Sequence, residues 1–218
     1  MTREEFVNNP RPREGIIEAL KKDVPKYSGR EVLLCFTCDP YQQLELTKHL
    51  TRRTIEILHQ NDIAVRILTK AGQRSMRDFP LLNDKDFYGA TLTLISDTLT
   101  EFYEPCAESY KSREVALREA HRIGIKTWVS LEPVIVPEET LEIIKRTYSF
   151  VDEYKVGKLN YVKTDIDWSK FLKDVTDLLK KYNKKYYIKK DLASYGEDIE
   201  DDIYDDLFDD EGFVRSIE

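Results

Sequence analysis

Short apolar runs alternate with amphipathic segments along this chain, and that alternation restricts the fold more than any other feature. The runs recur about every 25–35 residues and end at polar or turn residues, which is the spacing of strand–helix units. The predicted strands are 32–38, 63–69, 91–95, 126–131, 151–159 and 186–188. Such a rhythm indicates a parallel sheet with helical connections. It fits both a doubly wound sheet and a partial TIM-type barrel.

Helices are predicted between these strands. Apolar residues recur at helical spacing in several segments, and the clearest amphipathic face belongs to the last of them. The predicted helices are 13–22, 43–60, 112–123, 137–148 and 168–182, with a short helical patch around 76–82.

The charge is distributed unevenly along the 218 residues. The whole chain carries 34 basic and 41 acidic residues, a net charge of −7, but 197–218 alone hold eleven acids and one base. We therefore predict a barrel domain over 1–196, with a charge of +3, and a disordered acidic tail over 197–218, because so charged a segment cannot bury a core. A basic–aromatic cluster at 180–187 indicates either a nucleic-acid contact or a solvated helix end.

Three cysteines argue against a disulfide scaffold and for a reducing compartment. With no run of 18 uncharged apolar residues and no apolar leader, the sequence predicts a cytoplasmic protein. Cys35 and Cys38 fall on a predicted strand, where an offset of three directs side chains to opposite faces, so we do not expect them to share a metal. The sequence contains no Walker loop, G-x-G-x-x-G, G-x-S-x-G or H-E-x-x-H motif.

Hydroxyl and charged residues follow each predicted strand. In parallel α/β proteins ligands bind at the carboxyl ends of the strands, so these residues are the candidate site. They are Thr37, Cys38, Asp39, Tyr41, Thr69, Lys70, Thr93, Ser96, Asp97, Ser130, Glu132, Lys155, Lys158, Asn160, Lys189 and Lys190. Hydroxyls mixed with carboxylates and lysines suit a zwitterionic or phosphorylated ligand.

An ordered set of short motifs between residues 39 and 135 resembles the radical S-adenosylmethionine (SAM) proteins. The subgroup to which the set is most similar is that of the DNA repair photolyases and spore photoproduct lyases. The motifs are Asp39-Pro-Tyr-Gln with Glu45, the segment 50–58, Ile67-Leu-Thr-Lys70 before Arg77-Asp78, Glu104-Pro105 with Arg113, Gly124-Ile125, and Leu131-Glu-Pro-Val-Ile135. The resemblance extends over about residues 10–195.

The resemblance implies a partial (βα)₆ barrel, a [4Fe–4S] cluster, and reductive cleavage of SAM to start radical chemistry, with lyase-like activity on DNA. It implies that SAM is bound by Thr37, Asp39, Thr93, Arg113 and Glu132. It further implies that the site is lined, or the substrate contacted, by Tyr41, Thr69, Lys70, Glu104 and Lys189. Arg113 is the candidate for the SAM carboxylate, because a guanidinium grips a carboxylate with two hydrogen bonds.

One feature of the family is missing from this sequence. The family holds its cluster with C-x₃-C-x₂-C after the first barrel strand, and Cys35, Cys38 and Cys106 have neither that spacing nor that order. The helix at 13–22 resembles the family's first barrel helix, so the first strand and cluster loop are expected to be absent. Three hypotheses remain for the chain. It is an N-terminally truncated enzyme that is inactive alone, or one half of a split enzyme that a partner polypeptide completes. The third hypothesis is a non-catalytic module that binds a nucleotide or a protein.

Overall fold

Six parallel strands form one sheet in the computed structural model, which describes residues 10–35 and 37–196. The strands are β1 Glu31–Leu34, β2 Ala64–Thr69, β3 Phe87–Thr91, β4 Lys126–Val134, β5 Glu153–Lys158 and β6 Lys185–Ile188. Their order in the sheet is their order in the chain, with every neighbouring pair parallel. A doubly wound sheet reverses its order at a switch point. This one does not, so the barrel alternative is confirmed.

Helices connect the strands and cover the outer face of the sheet. They are α1 Ile16–Asp23, α2 Glu45–Lys48, α3 Leu50–His59, α4 Asp97–Tyr103, α5 Tyr110–Arg122, α6 Pro137–Thr147, α7 Trp168–Lys181 and α8 Lys190–Ala193. Two 3₁₀ segments, Val24–Tyr27 and Gly72–Leu81, complete the connections. No helix among these is long and apolar enough to cross a membrane.

The outer face is apolar, with hydroxyl contacts to the connecting segments. Tyr88 of β3 is fully buried and its hydroxyl lies 2.7 Å from Ser75 Oγ, and the hydroxyl of Tyr154 on β5 lies 2.8 Å from Thr147 Oγ1 of α6. Each buried phenol thus has a hydrogen-bond partner, as burial requires. The core lies between sheet and helices.

A buried arginine shows that the sheet is curved. Arg66 of β2 is fully buried, and its Nε lies 2.6 Å from Glu31 Oε1 of β1. Its Nη1 lies 3.0 Å from Glu153 Oε2 of β5, a strand three positions away in the sheet. Adjacent strands lie about 4.8 Å apart, so a flat sheet would hold β2 and β5 too far apart for this contact. The inner face is therefore concave, as in a barrel wall.

Several predicted bounds are corrected. The third strand is Phe87–Thr91 rather than 91–95, and α4 and α8 are additional helices. The helix predicted over 43–60 is two helices separated by His49, which has a positive φ of 52°. The break is stabilised by Glu45, whose carboxylate accepts hydrogen bonds from Leu50 N and Thr51 N. The predicted tail, 197–218, lies outside the described residues.

The prediction that Cys35 and Cys38 point to opposite faces is wrong. β1 ends at Leu34, so both cysteines lie in the loop that follows rather than on the strand. Their side chains line the same cavity, of about 370 Å³, beside β1. The cavity is largely apolar and extends to α1 and α3. In the described part of the chain β1 pairs only with β2, so its other edge faces this region.

Candidate functional site

The carboxyl ends of the strands bring most of the predicted site residues to one rim of the barrel, in two groups. Asp39 organises the first. Its Oδ1 accepts hydrogen bonds from Tyr41 N and Thr69 Oγ1, both at 2.7 Å, and its Oδ2 accepts one from Lys70 N at 2.6 Å. The carboxylate therefore joins the loop after β1 to the end of β2. A carboxylate offers about four acceptor positions, so Oδ2 keeps one for a further donor.

The remaining members of this first group differ in accessibility. Thr37 is exposed, whereas Tyr41 is buried at 1% exposure and burial raises the pKa of its phenol well above the usual range. Tyr41 accordingly packs in the core, where its carbonyl accepts a hydrogen bond from Arg74. Thr69 is also buried, with its hydroxyl committed to Asp39.

Glu104, Arg113 and Lys70 form a charged cluster beside the end of β3. Glu104 Oε1 lies 2.7 Å from Lys70 Nζ, and Glu104 Oε2 lies 2.9 Å from Arg113 Nη1. Burial by itself raises the pKa of the Glu104 carboxyl, but Lys70 and Arg113 outweigh it, so the pKa lies below its ordinary value. Arg113 Nη1 also donates to the carbonyl of Thr91, the last residue of β3, at 2.8 Å.

Two buried groups at this rim retain unused hydrogen-bonding capacity. Arg113 is fully buried, and its Nε and Nη2 have no hydrogen-bond partner among the described residues. The hydroxyl of Thr93, a residue that is 1% exposed, likewise has no hydrogen-bond partner among the described residues. Buried polar atoms of this kind usually bind something, since leaving one unpaired costs about 1–3 kcal/mol. The rim therefore has donors available near the end of β3.

The second group lies across the barrel at the ends of β4, β5 and β6. Lys189 Nζ lies 2.5 Å from both carboxylate oxygens of Glu132. Gly157 on β5 leaves room for this pair, because a Cβ there would lie 3.1 Å from Glu132 and from Lys189. Both charged side chains are partly exposed, so solvent or a ligand can reach them.

Lys155, one of the polar residues predicted for the fifth strand, lies below this pair on the inner face. Its Nζ is 5.1 Å from the centre of the Trp128 ring. Burial is the main cause that lowers its pKa to about 7, and the positive charges of Arg66 and Lys189 also lower it. The negative charges of Glu132 and Glu153 raise it, but by less. The sequence places Lys155 on the fifth predicted strand, but the burial that shifts its pKa depends on residues of other elements, such as Trp128 of β4.

The stability of the protein should depend on pH through Lys155. Between about pH 7 and pH 10 the unfolded chain binds a proton on this amine that the folded protein does not, so the free energy of unfolding rises with pH. Lys155→Met removes this contribution. We expect the variant to exceed the parent in Tm at pH 6.5 and the difference to shrink by pH 9. Thermal unfolding across that range measures it.

Lys173→Met is the matched control, because Lys173 is an exposed lysine on α7 paired with Asp177. Its Tm should follow that of the parent at every pH. Parallel curves for Lys155→Met and the parent would contradict the assignment.

An open cavity of about 430 Å³ adjoins the second group beyond the end of β5. It is lined by Lys158, Asn160, Tyr161, Asp191, Ser194 and Tyr195. Lys158 Nζ lies 5.4 Å from the centre of the Tyr195 ring, and Asn160 donates to Asp191 at 2.9 Å. The cavity thus extends the rim with an aromatic ring and polar groups, which can accept a flat heterocycle.

The candidate site lacks the features of a metal centre. Over 10–35 and 37–196, no group of three or more His, Cys, Asp or Glu side chains could hold a metal ion. The three cysteines of the sequence are free thiols, and C-x₃-C-x₂-C does not occur. The residues present do not fit a [4Fe–4S] cluster.

Comparison with known proteins identifies the fold. No protein-family model and no curated protein matches the sequence. Solved structures of SuiB from Streptococcus suis are similar at 13% identity. The structure bound to S-adenosylmethionine has a TM-score of 0.69 and covers 91% of this chain. The structure bound to the precursor peptide SuiA has a TM-score of 0.66 and also covers 91%.

This chain spans about half the length of SuiB, 51% and 50% in the two structures. At this identity the likeness establishes the fold. The six parallel strands and their helical connections form the α/β barrel-type fold that was predicted from the sequence, and this fold is similar to that of SuiB.

Proposed function

We propose that this protein is a radical SAM-like protein that binds S-adenosylmethionine at the carboxyl end of its barrel. The observation that carries the proposal is the set of buried, unpartnered donors on Arg113 and Thr93 at the end of β3. SuiB, whose fold this chain shares, is known in a SAM-bound structure. SAM is zwitterionic, and its carboxylate supplies the acceptors that those donors lack.

The other predicted residues would divide the rest of the ligand between them. The free acceptor position of Asp39 and the exposed hydroxyl of Thr37 suit the amino group of SAM. Glu132, held by Lys189, suits the ribose hydroxyls, and the cavity beside Tyr195 suits the adenine. Lys70 and Glu104 orient Arg113 through the ion pairs described above. Bound SAM supplies an activated sulfonium centre at this rim.

We propose the binding of SAM and not its reductive cleavage. A [4Fe–4S] cluster needs thiolate ligands, and the cysteines of this chain do not fit one. Membership of the photolyase-like subgroup, lyase chemistry, and the truncated, split or non-catalytic forms remain hypotheses. Each of them is compatible with a SAM-binding rim.

A polypeptide is the partner that we favour over DNA. SuiB is known with its precursor peptide bound, and the edge of β1 provides a place for an added strand in this chain. All four residues of β1 are half-buried, and the apolar cavity lies beside them. Main-chain pairing with an open edge is a general mode of peptide binding.

Thr93→Val tests the SAM proposal with little risk to the fold. Valine has the shape of threonine but no hydroxyl, so removing an unpaired buried hydroxyl leaves the free energy of unfolding unchanged or higher. If the hydroxyl binds SAM, affinity should fall by about 2- to 10-fold. Isothermal titration calorimetry with SAM measures the change.

Thr147→Val is the matched control. Thr147 is equally buried but donates to the carbonyl of Ile143 at the C-terminal end of α6, the end of that helix opposite the rim. It should lose stability and keep SAM affinity. Failure of the parent protein to bind SAM at millimolar concentration would overturn the proposal.

A further inference from the structure

Cys35 and Cys38 lie close together in the loop after β1, where a strand would have directed them to opposite faces. Cys35 Sγ lies 2.8 Å from the carbonyl oxygen of Cys38, and both residues line the cavity beside β1. The two residues between them give the C-x-x-C spacing of redox-active dithiols. The two thiols of this loop can therefore react with each other.

The two thiols are in unequal environments. Cys38 is exposed, whereas Cys35 is partly buried. The pKa of the Cys38 thiol is lowered to about 7, mainly by a hydrogen bond from Cys35 and also by one from Gln42. Burial and the negative charge of Asp39 act in the opposite direction and raise this pKa. The hydrogen bond to Cys38 and burial raise the pKa of Cys35. Glu45 also lines the cavity, but its carboxylate already accepts hydrogen bonds from Leu50 N and Thr51 N and forms an ion pair with Arg77.

This asymmetry matches the different roles of the attacking thiol and the resolving thiol in thiol–disulfide exchange. The attacking group is a thiolate that is accessible to the solvent, and the best attacking thiol has a pKa near the ambient pH. Cys38 meets both conditions. Cys35 stays protonated next to it, where it can resolve a mixed disulfide.

We propose that Cys35 and Cys38 form a dithiol site that low-molecular-weight disulfides, such as glutathione disulfide, oxidise reversibly to an intramolecular disulfide. The Cys38 thiolate attacks one glutathione sulfur, forming a mixed disulfide and releasing one glutathione thiolate. Cys35 then attacks Cys38 Sγ, its proton passing to the second glutathione as that leaves. The protein loses two electrons and two thiol protons, and glutathione disulfide becomes two glutathione thiols.

The position of the site links it to the barrel rim. Cys38 immediately precedes Asp39, whose carboxylate fixes the loop to Thr69 and Lys70. The bond between Cys35 and Cys38 would close a ring at the end of β1. Oxidation thus acts where the edge strand, the cavity and the rim meet.

The test begins with the unmodified chain and needs no variant. The reduced protein is incubated with excess glutathione disulfide at pH 7.5, quenched in acid, alkylated and mapped by mass spectrometry. The expected product has lost about 2 Da and contains a Cys35–Cys38 peptide, which reverts with dithiothreitol. Stable glutathionylation of Cys38 without ring closure, or modification confined to Cys106, would overturn the proposal.

Variants then assign the roles of the two thiols. Cys35→Ala should stop at the mixed disulfide on Cys38, and iodoacetamide should alkylate its Cys38 at pH 7 about threefold more slowly, because the thiolate fraction falls. Cys38→Ala should leave Cys35 unmodified. Cys106→Ser is the control and should form the ring at the parental rate. A Cys35→Ala protein whose Cys38 alkylates as fast as in the parent would contradict the assigned roles, provided that circular dichroism shows both folded.

Discussion

Gly89→Ala is expected to destabilise the protein by about 3 kcal/mol, which lowers Tm by about 10 °C in a domain of this size. A Cβ on Gly89 of β3 would lie 2.2 Å from Trp128 Nε1 and 2.4 Å from Trp128 Cε2. Trp128 is 1% exposed and its Nε1 donates to the carbonyl of Ile67 at 2.9 Å. The indole must therefore move, which costs packing and a buried hydrogen bond. Chemical and thermal unfolding measure the loss.

A double-mutant cycle separates this clash from other effects of the added methyl group. Trp128→Leu alone should be destabilising, because it leaves a cavity and removes the buried hydrogen bond to the carbonyl of Ile67. In the Trp128→Leu background, Gly89→Ala should cost far less than in the parent, because the atoms that it strikes are absent. Equal costs in both backgrounds would mean that the close approach of Gly89 to Trp128 is not the cause.

Arg66→Met should destabilise the protein by about 3–5 kcal/mol, since it leaves two glutamates on the inner face without their shared partner. Arg66 is fully buried between Glu31 and Glu153, and its guanidinium carbon lies 3.6 Å from the centre of the Phe87 ring. Arg66→Lys keeps the charge but cannot contact both carboxylates in one planar fork, so an intermediate loss is expected. Urea unfolding gives the free energies.

Arg146→Met is the matched control, because Arg146 pairs with Glu142 on the exposed face of α6. Exposed pairs of this kind contribute less than about 1 kcal/mol. A triple variant of Arg66→Met, Glu31→Gln and Glu153→Gln should recover part of the loss, because no buried charge is then left uncompensated. If Arg66→Met costs no more than the control, the buried cluster does not stabilise the fold.

The order of elements was predictable from the sequence, and several of their ends were not. Leu92 and Leu94 are buried although they follow β3. The apolar run in the sequence therefore extends beyond the strand, and its bounds do not give those of the strand. At the end of that run, Glu139 of α6 accepts hydrogen bonds from Ile95 N and Ser96 N, although it lies 43 or more residues away along the chain. The backbone after β3 is therefore held by a contact that periodicity does not report.

The candidate site was predictable only as a set of strand ends. Asp39, Thr69 and Lys70 meet because parallel strands end at one rim, which the alternation of elements already implied. The burial of Arg113 and the lowered pKa of Lys155 depend on side chains from other elements. Cys35 and Cys38 came together because β1 ends at Leu34, earlier than the apolar run suggested.

The contacts of Arg66 have a consequence for how the molecule opens. One guanidinium joins residues 31, 66 and 153, so it connects the edge strand to a strand at the far side of the sheet. Fraying of β1 removes Glu31 from this contact and loosening of β5 removes Glu153, so either event leaves the buried guanidinium of β2 with one carboxylate fewer. We therefore expect the two sides of the barrel wall to open as one cooperative unit, with amide hydrogens that exchange with solvent in concert rather than strand by strand.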